Sequence, residues 1–183
     1  MKNTLIIFSI LTSCIMNAQK LKLKDFKITE YEILANDKVE ISTHAVIDKK
    51  GNLIVYSDSW DGKNFFQYKL DSEEIENLNM LAEKDMEYYV KQKKLNKNEY
   101  FAGQRRFITF KYKGKTKSLC YIEPFMTDEF KKLIKPLNKK IYKHDSEAKT
   151  TMQSTDFTKT ELEIIEREKI DNYLPQKAII RAN

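Results

Sequence analysis

The chain is poor in the residues from which chemical sites are commonly built. Its 183 residues include only two cysteines, two histidines, four glycines and one tryptophan. Four glycines leave no material for a loop that brings backbone amides against a phosphate. No G-x-x-x-x-G-K-[ST], G-x-S-x-G or H-E-x-x-H string occurs. Cys120, His44 and His144 fit no spaced metal motif, so no metal or cofactor is implied. Arginine is confined to Arg105, Arg106, Arg167 and Arg181, so lysine carries the net charge of +6. Nucleic-acid recognition leans on the forked guanidinium, and its scarcity argues against that partner. A net positive charge also lacks the acidic face that a basic target such as lysozyme would demand.

Long apolar runs are missing after the first twenty residues. The one run, Leu5 to Met16, is shorter than the roughly 20 residues a permanent span needs. It follows Lys2 and ends near the small residue Ala18. A basic start, an apolar core and a small residue form the pattern of a secretory signal. Two cleavage readings fit. Leu11-Thr12-Ser13-Cys14 matches a lipobox, in which Cys14 is lipidated and becomes the first residue. Met16-Asn17-Ala18 offers a cut after Ala18, which uses the whole apolar run and leaves Gln19 first. The second is preferred, because the lipobox would leave apolar Ile15 and Met16 directly after the lipid. Residues 1–18 are thus read as a signal peptide, and the protein as exported, periplasmic or secreted. The minority reading is a lipid anchor at Cys14. The remainder has no transmembrane helix, since charges interrupt every later apolar stretch.

About 165 residues remain, enough for one domain. Apolar content of 41% supplies a core without a disulfide, and a single remaining cysteine could not form one. Leu21, Leu23, Phe26 and Ile28 among lysines read as a half-buried strand, at an edge or as an arm. Val39–Ile47 and Leu53–Tyr56 flank the turn Asp48–Asn52 and form a hairpin. Ser57–Gly62 is read as a connection, and Asn64–Leu70 as a third strand. Asp71 and Glu74 form a capping box for a helix with Ile75, Leu78, Leu81 and Ala82 inward. Residues 86–104 read as irregular. Arg106–Tyr112 and Thr116–Ile122 form a second hairpin about Lys113-Gly114-Lys115. Thr127 or Asp128 caps a helix with Phe130, Leu133, Ile134, Leu137 and Ile141 inward, which Pro136 should kink or split. Residues 145–160 form a polar linker or strap. Thr160 and Glu163 suggest a capping box for a last helix, with residues 161–183 as helix and tail.

The plan is α+β: an antiparallel sheet of five to six strands, with two to three helices packed on one face, over residues 19–144. This order, with "SEEIENL" and "FITFKYKGKTK" as its segments, resembles small exported Gram-negative proteins of unknown function over about Val39 to Tyr142. The N-A-Q at residues 17–19 resembles their signal ends. The resemblance implies fold only, and no catalytic residues.

Each candidate for chemistry has a structural competitor. Cys120 could act as a nucleophile with His44 or His144, but it sits mid-strand, where a small buried hydrophobe is expected. Cys120 and Ile122 should share one face, and Leu119 and Tyr121 the other. Asp58, Asp61 and Glu123 are unassigned carboxylates. Trp60 is either an aromatic contact in a binding loop or a ring folded over the sheet. The strongest signal is charge. Between residues 101 and 144, twelve basic residues stand against Glu123, Asp128 and Glu129, a balance of +9. Lys111, Lys113, Lys115 and Lys117 crowd one hairpin, and Lys131, Lys135 and Lys139 line one helix face at i, i+4, i+8. Anionic lipid or an acidic protein surface would be drawn to them. The expectation is an exported, non-enzymatic envelope or secreted binding protein with a basic face. The alternative is a small periplasmic or secreted hydrolase.

Overall fold

The computed structural model describes residues 20–34, 36–60, 62–151 and 154–175. Cys14, Ala18, Asp61, Met152 and the apolar end Ala178–Ile180 lie outside them.

Six strands form one antiparallel sheet: β1 (Lys24–Ile33), β2 (Val39–Ile47), β3 (Asn52–Ser59), β4 (Gly62–Lys69), β5 (Arg105–Tyr112) and β6 (Lys115–Tyr121). Their order is β4-β3-β2-β1-β5-β6. The half-buried strand expected from the alternation is β1, and it lies in the centre, between β2 and β5, not at an edge or as an arm. Its lysines flank Phe26 and Ile28, which are buried. Three turns carry chemistry legible in the chain. Asp48 accepts from the amides of Lys50 and Asn52, both at 2.8 Å. Lys113 and Gly114 both have positive φ (49° and 79°), the geometry of a two-residue hairpin turn that follows the strand twist. At the β3–β4 turn the strands run on to Ser59 and from Gly62, so the expected Ser57–Gly62 connection shrinks to its tip.

Both faces of the sheet are covered. Ile28, Ala45, Val55, Phe66, Ile108, Phe110, Leu119 and Tyr121 face α1 (Ser72–Glu83) and α2 (Asp128–Ile141). Tyr31, Ile41, Tyr56, Phe65, Phe107, Cys120 and Ile122 face the other way, toward Ile164 of α3 (Thr158–Ile170) and Leu174. Two of the three helices thus share one face, and the third covers its reverse.

Helix α1 begins on the full capping box, with Asp71 accepting from the Glu74 amide and Glu74 from the Asp71 amide, each at 2.9 Å. It crosses the strands from the β4 edge to β6, where the Lys117 ammonium meets the carbonyls of Ala82 and Lys84. Helix α2 runs back antiparallel. Lys84–Glu129 joins the pair at one end, and Lys140 to Asp71 and Glu74 at the other. Thr127 caps α2, and all five expected apolar side chains are buried.

Pro136 does not split α2, which continues through it to Ile141. Leu137 and Ile141, beyond the proline, stay packed on the sheet, and their burial outweighs the lost hydrogen bond. Pro136→Ala is expected to raise stability by about 2 kcal/mol. Helix propensity gains about 3, and the more flexible unfolded chain returns up to about 1. A urea midpoint equal to or below that of the parent would contradict this.

The stretch after α2 is a strap. Lys149 bridges Phe66, the Thr150 amide donates to the Phe65 carbonyl, and Phe157 lies on the rings of His44 and Tyr56 at 4.9 Å. The expected Thr160–Glu163 cap is not made. The helix starts three residues earlier, at Thr158, Thr160 is buried inside it, and the amide of Thr158 is taken by Asp156 instead.

Candidate functional site

Strand register fixes which side chains meet. Antiparallel pairing sets Glu30 opposite Arg106, and Arg106 opposite Tyr121, in one row on the face covered by α1 and α2. The next row toward the sheet centre, Ile28–Ile108–Leu119, is wholly apolar. On the other face, Thr29, Phe107 and Cys120 form a row with His44. His44 and Cys120 are therefore three strand spacings apart, about 14 Å at 4.7–4.9 Å each. They form no catalytic couple. His144 lies elsewhere, stacked on Phe66. Cys120 is fully buried, its amide donates to Asp171 at 2.8 Å, and burial pushes its thiol well above the ordinary range. This is a structural cysteine, protonated and shielded.

The carboxylate candidates do not converge. Asp58 accepts from Tyr56 at 3.1 Å and faces Lys63 at 3.9 Å in solvent. Glu123 lies beside Arg106 on the other side of the sheet's centre. Among the described residues no three His, Cys, Asp or Glu side chains gather to hold a metal ion. Trp60 is 100% exposed. It does not fold over the sheet.

The seven lysines fall in three places. Lys117 is a structural residue: its ammonium closes the carbonyl end of α1 at 3.0 and 2.7 Å, pairs with Asp85 and rides over Tyr112. Cations suit that end of a helix. Lys111, Lys113 and Lys115 surround the β5–β6 turn. A concavity of about 540 Å³ there is lined by Lys22, Lys24, Lys111, Tyr112, Lys113 and Gly114. Lys111 pairs with Asp25 at 2.8 Å, whereas Lys22, Lys24, Lys113 and Lys115 have no acidic partner within 4 Å among the described residues. The β2–β3 turn, with Lys49 and Lys50, lies at the same end of the sheet by register. The acidic face of α1 borders this end, with Glu73, Glu76 and Glu83 exposed.

Lys131, Lys135 and Lys139 form the third group, on the rim of a cleft between α2 and the far end of β5 and β6. Lys115 and Tyr121 are six residues apart on one strand, so this cleft is about 20 Å from the hairpin tip. The basic segment 101–144 is thus two separate cationic features. Sequence reasoning found their lysines from spacing. It missed Lys22 and Lys24, which reach the tip only because β1 pairs with β5.

No helix among the described residues is long and apolar enough to cross a membrane. Comparison with protein-family models, with curated proteins and with solved structures finds no match for this chain.

Proposed function

We propose that the protein is an exported binding protein of the cell envelope that rests its basic end on an anionic lipid surface. The observation that carries this reading is the concavity ringed by Lys22, Lys24, Lys111 and Lys113, beside the point where the chain enters the fold. Four lysines at that end, Lys115 included, have no acidic partner among the described residues. Each lysine near an anionic membrane contributes about 1 kcal/mol, so four give on the order of 4 kcal/mol before screening. The leader supports the same orientation. Were Cys14 lipidated, the six residues to Lys20 would span at most about 20 Å, and the basic end would face the bilayer. Were the cut after Ala18, lysine attraction alone would hold the protein there reversibly.

Co-sedimentation with vesicles is the test. Binding is expected to vesicles containing phosphatidylglycerol and not to pure phosphatidylcholine. It should vanish near 1 M salt, where the screening length falls to about 3 Å. Replacing Lys22, Lys24, Lys113 and Lys115 together by Gln should abolish it, and Lys131→Gln should not. Equal binding to neutral vesicles, or none to anionic ones, overturns the reading. The mass of the mature N-terminus separates the two cleavage sites.

A further inference from the structure

The cleft beneath α2 holds two polar atoms that the fold leaves unused. It measures about 470 Å³, within the range of small-molecule sites. Its floor is Tyr121, which is 1% exposed and whose hydroxyl proton meets no acceptor among the described residues. Asn138 looks into the same space from α2, and its Oδ1 is likewise buried and unpartnered. Leaving such a group without a partner destabilises the fold, and most buried polar side chains avoid it.

The neighbours explain why the fold does not fill these vacancies. Arg106 stands beside the Tyr121 hydroxyl, but its Nε is turned to Glu30 at 2.9 Å. The Tyr142 hydroxyl, which closes the far wall, donates to the same Glu30 oxygen at 2.5 Å. Glu30 thus takes the Arg106 Nε and the Tyr142 proton, and the guanidinium, which can only donate, offers no acceptor for the Tyr121 proton. Burial raises the Tyr121 pKa, so its hydroxyl stays protonated and can donate. Phe130 and Ile134 supply an apolar wall. Lys135 and Lys139, on the rim, have no acidic partner within 4 Å among the described residues, and Lys131 faces Asp128 only at 4.0 Å.

We propose that the cleft between α2 and the Arg106–Tyr121 end of the sheet binds a small amphipathic anion. A carboxylate or phosphate head accepts from the Tyr121 hydroxyl under the field of Arg106 and the rim lysines, and an apolar body lies on Phe130 and Ile134. A hydroxyl or amide N–H on the ligand would satisfy Asn138. The charge sign follows from the rim, where Lys131, Lys135 and Lys139 outnumber Glu123, the apolar part from the wall, and the hydrogen-bond acceptor from the tyrosine. This site is independent of the membrane contact, being about 20 Å away along β6.

Calorimetric titration of the purified protein tests this with decanoate and decyl phosphate below their micelle concentrations. Inorganic phosphate probes the head alone, and decyltrimethylammonium is the opposite-charge control. Saturable one-to-one binding of at least one anionic amphiphile is expected, and the tighter of the two identifies the head group. The cationic control should not bind. Tyr121→Phe removes the unpartnered hydroxyl without changing the ring. It should weaken binding about tenfold while leaving the unfolding midpoint equal or higher. Lys135→Gln, on the surface, should weaken binding severalfold with no change in stability. The Lys22, Lys24, Lys113 and Lys115 quadruple variant should bind as the parent does. The proposal is overturned if neither anion saturates, if the cation binds equally well, or if both Tyr121→Phe and Lys135→Gln bind like the parent.

Discussion

Arg167→Ala is expected to lower folding stability by about 3–5 kcal/mol, because it breaks a buried ion pair by removing one partner. Its guanidinium grips Asp171 through Nε at 2.6 Å and a second nitrogen at 2.8 Å. Asp171 is fully buried, and its carboxylate also accepts the Cys120 amide of β6 at 2.8 Å. Among the described residues strand β6 is an edge, so that amide meets no further strand there. The carboxylate takes the place of one, and the end of α3 closes part of the free edge. Removing Arg167 strands a buried negative charge with one hydrogen bond. The same penalty does not arise when both charges go. Arg167→Met with Asp171→Leu should therefore recover much of the loss, although the Cys120 amide stays unpaired. Urea unfolding of the three proteins measures this. A loss below 1 kcal/mol for Arg167→Ala would show that α3 is held by packing alone. Amide exchange at Cys120 should rise in step with the destabilisation.

A second network docks the same helix. Tyr31 donates to Glu168, which also accepts from Arg105 at 2.8 Å, and Arg105 reaches the Pro175 carbonyl at 3.0 Å. Helix α3 buries little besides Thr160 and Ile164, while Leu162 and Ile170 are largely exposed. Its attachment is thus unusually polar. Two arginines, Arg105 and Arg167, serve that purpose, which accounts for half of the four in the chain. A planar fork suits fixed, partly buried pairing better than an ammonium does. Their location shows what they hold together.

Local features were legible because their causes are local. The Asp71–Glu74 box, the Thr127 cap and the Lys113-Gly114 turn are set by residues within three positions of each other. Alternation assigned Cys120 and Ile122 to one face and Leu119 and Tyr121 to the other, as found. Strand neighbours were not legible. Alternating Leu21, Leu23 and lysines specify a buried face but say nothing of which strands lie on either side. From that one unknown come the central place of β1, the arrival of Lys22 and Lys24 at the hairpin tip, and the Glu30–Arg106 contact. Nor could the cleft be read. Tyr121 in a strand of apolar residues reads as core, and only the third dimension shows its hydroxyl without a partner. The lysines at 131, 135 and 139 were visible as a stripe, but a stripe does not say whether it borders a cavity.

Lowering the pH from 7 to 5 is expected to destabilise the protein by about 2 kcal/mol, mostly through His44. This imidazole sits between sheet and strap. Its Nδ1 is 2.9 Å from the Thr29 hydroxyl, and Phe157 lies over the ring at 4.9 Å. Burial, with a smaller push from Lys27, depresses its pKa from 6.5 to about 4. Asp156 lines the same cavity from the strap side, and Glu163 neutralises Lys27 at 2.8 Å. The folded state thus binds fewer protons than the unfolded state between pH 6.5 and 4. Stability is complete above 6.5, falls as the unfolded chain gains its proton, and stops falling near 4. The carboxylates held low by their partners, Asp71 and Asp145 among them, lose their contributions only as the pH drops through the range below about 4. The interval from pH 7 to 5 therefore belongs to the histidine. Urea midpoints at pH 7, 6 and 5 should decline in the parent and stay nearly level in His44→Gln. The strap should loosen first, because a charged imidazole must leave the Phe157 ring to reach water, and amide exchange at Thr150 would report it. A parent protein equally stable at pH 7 and 5, or a variant with the same slope, would place the depressed titration elsewhere.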